Sequence, residues 1–131
     1  MAQLFTDEWI NALKDAWNGD PEVKDKLAEI NFDSVIGCGF KDDDKPSCVF
    51  VVKNGEAVSA GLYNGEDLDW DMRATEENWG KWAEKPLTMV SMGTAVMTGK
   101  LKFATGDFKA MIKNPSMAGP FIKSFALMGA I

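Results

Sequence analysis

Cys38 and Cys48 are the only thiols in the chain, and no histidine is present to draw a proton from either. Without imidazole there is no Ser-His-Asp or Cys-His catalysis, no histidine-ligated zinc and no ordinary pH switch. A catalytic reading would therefore rest on Cys38 or Cys48 alone. Other spacings fail when counted. Gly93 to Lys100 is one residue too long for a phosphate loop, and Leu101 stands where a hydroxyl must reach magnesium. Gly37-Cys38-Gly39 lacks the third glycine and the following helix of a dinucleotide fingerprint. Asp67, Asp69 and Asp71 match the first ligands of a calcium loop, but Met72 replaces its turn glycine and Asn78 its bidentate glutamate. Asp42-Asp43-Asp44 reads as a charged turn. No catalytic constellation survives, so neither an enzyme working by its own side chains nor a bound cofactor or metal is expected.

The remaining chemistry is apolar and electrostatic. The 131 residues are one domain's worth, 1–131, and can build a core without disulfides or metals. The net charge of −6 argues against nucleic acid as a partner. That charge is uneven, with residues 1–99 holding 9 basic and 19 acidic side chains. Residues 100–131 set Lys100, Lys102, Lys109, Lys113 and Lys123 against Asp107 alone, amid Phe103, Phe108, Met111, Met117, Phe121, Phe125 and Met128. A basic end rich in Met and Phe suits an anionic amphiphile or an anionic lipid surface, and equally a solvated lysine face above an ordinary core. Met1-Ala2-Gln3-Leu4-Phe5 has no basic start, and no apolar stretch reaches the ~18 residues of a span. The ending Met128-Gly129-Ala130-Ile131 is no targeting signal. A cytoplasmic protein with reduced cysteines is expected, a disulfide across a hairpin being the alternative.

These side chains need elements to place them. Thr6 caps a helix carrying Trp9, Leu13 and Trp17 that ends at Gly19, and Asp20-Pro21 opens a second helix running to Glu29. The period then falls to two. Phe32, Ser34, Ile36, Cys38 and Phe40 share a strand face, and Ser47 to Lys53 and Glu56 to Leu62 form two more strands about Asn54-Gly55. A second Asn-Gly, at 64–65, predicts another hairpin, making a four-strand meander. In its fourth strand Leu68, Trp70, Met72 and Ala74 face in, while Asp67, Asp69, Asp71 and Arg73 face water. Thr75 caps a helix with Trp79 and Trp82, closed near Lys85-Pro86. Leu87 to Thr98 is apolar almost all round, which predicts a helix buried or facing a cavity. Lys100 to Ala104 is a late fifth strand, Asp107 caps a helix through Lys113, and a last amphipathic segment follows Pro115. The class is α+β.

Thr98-Gly99-Lys100-Leu101-Lys102-Phe103, followed by Gly106-Asp107 and a short apolar helix, resembles the signature of the sterol carrier protein 2 family. There a Gly-Lys-Leu-Lys strand runs into a Gly-Asp or Gly-Asn cap. The stretch Met89 to Met97 and the passage from the fourth strand through Thr75, Glu77 and Trp79 are similar to the family as well. The Trp9 helix and Asp20-Pro21 resemble the start of stand-alone bacterial members. The likeness is strongest over residues 66–113. Phe103-Ala104-Thr105 stretches the strand slightly, and the tail lacks the peroxisomal tripeptide of eukaryotic members.

The resemblance implies a five-stranded, mixed but mostly antiparallel sheet. About five helices cover one face, and a hydrophobic tunnel between the layers takes sterols, isoprenoids, phospholipids, fatty acids or fatty acyl-CoA. It turns the Met and Phe stripe, otherwise read as solid core, into a pocket lining. The expected lining is Trp82, Met89, Met92, Val96, Leu101, Phe103, Phe108, Met111, Phe121, Phe125 and Met128, with Lys100, Lys102 and Lys109 for a carboxylate or phosphate head. The function expected is binding and transfer of such a ligand, with transient contact of the basic C-terminal segment on an anionic membrane. The alternative is an accessory module that hands a hydrophobic intermediate to a partner enzyme, as in quinone or acyl-CoA metabolism, docking through the tryptophan-bearing N-terminal helices.

Overall fold

The computed structural model describes residues 4–129 and 131. Met1–Gln3 and Ala130, which figure in the reading of the two termini, lie outside them. Thr6 accepts the Trp9 amide at 3.2 Å and caps α1 (Asp7–Asn18), whose acidic first turn suits the helix dipole. Its stripe of Trp9, Ile10, Leu13 and Trp17 is buried. Helix α2 spans Lys24–Ala28, and the turn ahead of it already makes helical bonds, from the Lys24 amide to the Asp20 carbonyl at 2.9 Å and from the Asp25 amide to the Pro21 carbonyl at 3.2 Å, while the Asp20 carboxylate accepts the Glu22 amide at 2.9 Å.

Strands β1 (Ser34–Phe40), β2 (Cys48–Lys53) and β3 (Glu56–Leu62) form an antiparallel meander. Asn54 and Gly55 both take positive φ, +51° and +83°, as this two-residue hairpin requires. Helix α1 lies on β3. The Asn18 side chain bonds both the N–H and the C=O of Ala57 at 2.8 Å, and the Trp17 indole donates to the Gly55 carbonyl at 2.9 Å.

The meander stops at three strands. β4 (Trp70–Ala74) does not pair with β3 but runs parallel to β1, giving the order β3-β2-β1-β4-β5 with β5 (Lys102–Thr105) antiparallel at the far edge. The segment 63–69 crosses the outer face of the sheet, with Leu68 lying on Gly37, so Leu68 faces away from the core and Asn64-Gly65 closes no hairpin. Either placement of β4 keeps Trp70, Met72 and Ala74 inward, which is why alternation alone favoured the simpler meander.

The crossing also changes the environment of Asp71 and Arg73, expected in water. Both are 5% exposed on the outer face, beneath the β1–β2 loop. Arg73 makes a bidentate pair with Asp71 at 2.6 and 3.0 Å and donates to the carbonyls of Asp43 and Phe40. This pair ties the loop down onto the sheet.

The inner face carries Ile36, Cys38, Cys48, Phe50, Val52 and Met72, covered by the helical layer. Thr75 caps α3 (Glu76–Glu84), with Trp79 and Trp82 buried. Thr88 and Ser91 form a reciprocal capping box on α4 (Met89–Met97). This helix is not enclosed, since only Met92 and Ala95 are buried while Met89, Val90 and Met97 are exposed. Asp107 caps α5 (Phe108–Ile112) and Asn114 caps the Ser116 amide at the start of α6 (Pro115–Gly129). Helix α6 packs on α1, α2, α3 and α5. No helix among the described residues is long and apolar enough to cross a membrane.

Cys38 and Cys48 face each other in register as free, buried thiols. Burial, and then the neighbouring Cys48 and Asp71, push the Cys38 thiol far up, while burial and Asp7 push Cys48 up to about 12. Neither is a ready nucleophile. Because the unfolded thiols ionise near 9.0 and the native ones much later, stability contributed below that pH drains away as pH rises from about 9 toward 12. The urea midpoint should fall over that window, with a shallower fall in the Cys38→Ala/Cys48→Ala variant. Asp71→Ala, which strands the Arg73 guanidinium, should cost about 3 kcal/mol in urea unfolding, and replacing both partners by Leu and Met should restore most of it.

Candidate ligand site

Three of the spaces around the helical layer have walls rich in aromatic and apolar side chains, and those walls come from different elements. Between the sheet and the helices lies a cavity of about 20 Å³ walled by Trp17, Leu27, Phe32, Ile36, Trp70, Met111, Met117 and Phe121. Every one of these side chains is apolar or aromatic. At one end, α1, α3 and α6 enclose a cleft of about 490 Å³, lined by Trp9, Trp79, Trp82, Phe125 and Met128, with Leu4 and Ile131 at its rim. At the other end, the last turn of α4, β5 and α5 form a groove of about 540 Å³, lined by Val96, Leu101, Phe103 and Phe108. Both larger spaces fall in the range of small-molecule sites.

Aromatic rings join the three. Phe108 meets Phe103 at 5.2 Å between centroids, Phe103 meets Phe121 at 6.0 Å, and Phe121 meets Phe125 at 5.6 Å. Phe125 in turn lies 6.3 Å from both Trp79 and Trp82. Trp70 braces the middle, 5.8 Å from Phe103 and 6.2 Å from Phe121. Gly106, at φ +112°, lets the turn after β5 press on that ring, where a Cβ would sit 2.3 Å from Trp70 Cε3. A ring track thus leads from the groove, past the small cavity, into the cleft.

Of these three spaces, only the groove has basic walls. Lys41, Lys102 and Lys109 line it together with Asp107, whose carboxylate is engaged with the Ala110 amide at 3.0 Å. Lys41 Nζ donates to the Gly99 carbonyl at 2.8 Å. Among the described residues Lys102 and Lys109 form no ion pair. The cleft has a single charged wall residue, Glu84.

The residues singled out from the sequence are divided among these spaces. Trp82, Phe125 and Met128 stand in the cleft, and Met111 and Phe121 at the small cavity. Val96, Leu101, Phe103 and Phe108 stand in the groove with Lys102 and Lys109. Met92 is wholly buried in the core, Met89 and Lys100 are exposed, and none of these three lines any of the spaces. The N-terminal tryptophans expected to form a docking surface, Trp9 and Trp17, are each 3% exposed and are walls instead. Ile36 and Trp70 escaped notice although period-two alternation had already put them on the inner face. Lys41 carried no signal, being remote in sequence from the groove it lines.

No protein-family model matches the chain, and no curated protein matches it in sequence. Solved structures do match it. A crystal structure of sterol carrier protein 2 superposes with a TM-score of 0.77, covering 98% of this chain and 99% of that one at 18% identity. UbiJ-SCP2, a ubiquinone synthesis protein, gives 0.56 over 92% of this chain and 88% of its own at 14% identity. Sterol carrier protein 2 from Yarrowia lipolytica gives 0.52 over 89% and 88% at 18% identity. Identities this low speak for architecture alone, and by architecture the chain has the sterol carrier protein 2 fold.

Proposed function

We propose that the chain binds a long-chain amphiphile, with the apolar part along the ring track and an anionic head at the lysines of the groove, and carries it without chemical change. The observation that supports this is the unbroken succession of rings from a lysine-rimmed groove to an apolar cleft. The likeness in fold to sterol carrier protein 2 agrees with it. Met111, Met117 and Met128 border the track, and unbranched thioethers repack around chains of differing shape. Burying about a dozen methylenes is worth ~10 kcal/mol gross. Ordering the ligand and losing its free motion return much of that, which leaves affinities around micromolar. Fatty acids, fatty acyl-CoA and phospholipids suit a cationic head site better than sterols do. The 20 Å³ cavity holds no chain as it stands, so loading displaces side chains of α5 and α6.

Delivery of a hydrophobic intermediate to an enzyme is the second reading, supported by the likeness to a ubiquinone synthesis protein. A defined enzyme that co-purifies and loses activity without this chain would favour it.

The test is titration with cis-parinaric acid, a fluorescent fatty acid, followed by displacement with unlabelled palmitate. Phe103→Glu, at a half-buried groove position, should weaken binding by about tenfold or more with the circular dichroism spectrum unchanged. Lys102→Glu/Lys109→Glu should weaken the acid about fivefold and leave the corresponding alcohol alone. Wild-type affinity in both variants, or no bound lipid by native mass spectrometry, would overturn the assignment.

A further inference from the structure

Helix α4 presents an apolar face to solvent that neither the core nor the ring track uses. Five large hydrophobic side chains are exposed among the described residues, and three of them, Met89 (45%), Val90 (80%) and Met97 (88%), stand on these nine residues. Met89, Gly93 and Met97 follow at i, i+4 and i+8, with Val90 and Thr94 alongside, while Met92 and Ala95 anchor the opposite face in the core. The helix contains no charged residue.

Its surroundings are cationic. Residues 85–106 include Lys85, Lys100 and Lys102, all exposed, and no acidic residue, in a chain whose net charge is −6. Lys41 adds a fourth ammonium at the C-terminal end of α4 through its bond to the Gly99 carbonyl. The nearest acidic groups in sequence to these lysines are Glu84, Asp107, which caps α5, and the Asp42–Asp44 turn, which belongs to the loop held on the outer face by Arg73.

We propose that this face of α4 docks on the surface of an anionic lipid bilayer, with Met89, Val90 and Met97 in the headgroup–acyl boundary and Lys85 and Lys100 against lipid phosphates. An uncharged helical face with lysines at both ends fits a fluid, diffuse anionic surface. A protein partner would ordinarily be met by aromatic or arginine anchors, and this face has neither. Val96 belongs both to α4 and to the groove, so docking would set the groove's mouth beside the bilayer. The apolar part of the contact comes from α4 and not from the rings and methionines of the C-terminal segment, where Phe125 and Met128 are buried. It does not depend on the ligand reading.

Co-sedimentation of the full chain with vesicles of mixed phosphatidylglycerol and phosphatidylcholine tests this, with phosphatidylcholine vesicles for comparison. Binding to the anionic vesicles should weaken at least about fivefold in Val90→Glu/Met97→Glu and in Lys85→Glu/Lys100→Glu, and should fall with added salt. Both variants should keep the wild-type spectrum and affinity for cis-parinaric acid, since none of the four residues lines a ligand space. Three results would each overturn the proposal. These are no sedimentation with anionic vesicles, sedimentation that the α4 pair leaves unchanged, and a wild-type dimer that the α4 pair reduces to monomer.

Discussion

The rings of α6 hold the two layers together. Phe121 and Phe125 lie between Trp70 of the sheet and Trp79 and Trp82 of α3, and the same helix packs on α1, α2 and α5. Side-chain bulk in this layer sets the spacing between sheet and helices. The leftover space at the centre is the small cavity, and at the two ends it widens into groove and cleft. Architecture and site therefore arise from one packing choice, in which the same aromatic rings bridge the layers and wall the spaces.

That choice bears on how the interior changes shape. Pro120 lies within α6 after Gly119 and cannot donate a backbone hydrogen bond to the preceding turn. Met117 precedes this point and faces the cavity, whereas Phe125 and Met128 follow it and face the cleft. Phe121, just past the proline, still walls the cavity, so the helix passes from one space to the other across a locally weakened ladder. On the surface, Lys123 pairs with exposed Glu22 at 3.3 Å, a weak link, and approaches the less exposed Asp20 at 3.9 Å.

Local chemistry made much of the fold legible before any coordinates. The caps at Thr6, Thr75 and Asp107 and the Asn54-Gly55 turn are all where side-chain oxygens and positive φ demand them. What escaped was non-local. Nothing within residues 63–69 tells whether the chain turns back beside β3 or crosses to β1, because both keep Trp70, Met72 and Ala74 inward. From that single ambiguity followed the error at Asp71 and Arg73, whose polarity suggested water and whose burial depends on a loop more than two dozen residues upstream. The site was legible to the same degree. Residue type picked out rings and methionines, but only tertiary packing divides them into three spaces, buries Met92 and leaves Met89 outside. Helix α4 failed by the same logic, since an apolar composition does not say which neighbour arrives to cover it.

The placement of β1 at the centre of the sheet bears on the order in which the chain assembles. β1 is the first strand in sequence, and its β2 side is completed by a short hairpin, whereas its other side waits for Trp70 to Ala74 to pair in parallel. During synthesis, the three-strand meander emerges with an open hydrogen-bonding edge on β1 until that segment follows. Gly37 and Gly39 carry no side chain here; Pro46 of the β1–β2 loop lies over both, and Leu68 closes over Gly37 once the crossing is made. The exposure of a nascent β1 edge, more than loss of any single core contact, would then govern how readily the protein aggregates before it is complete.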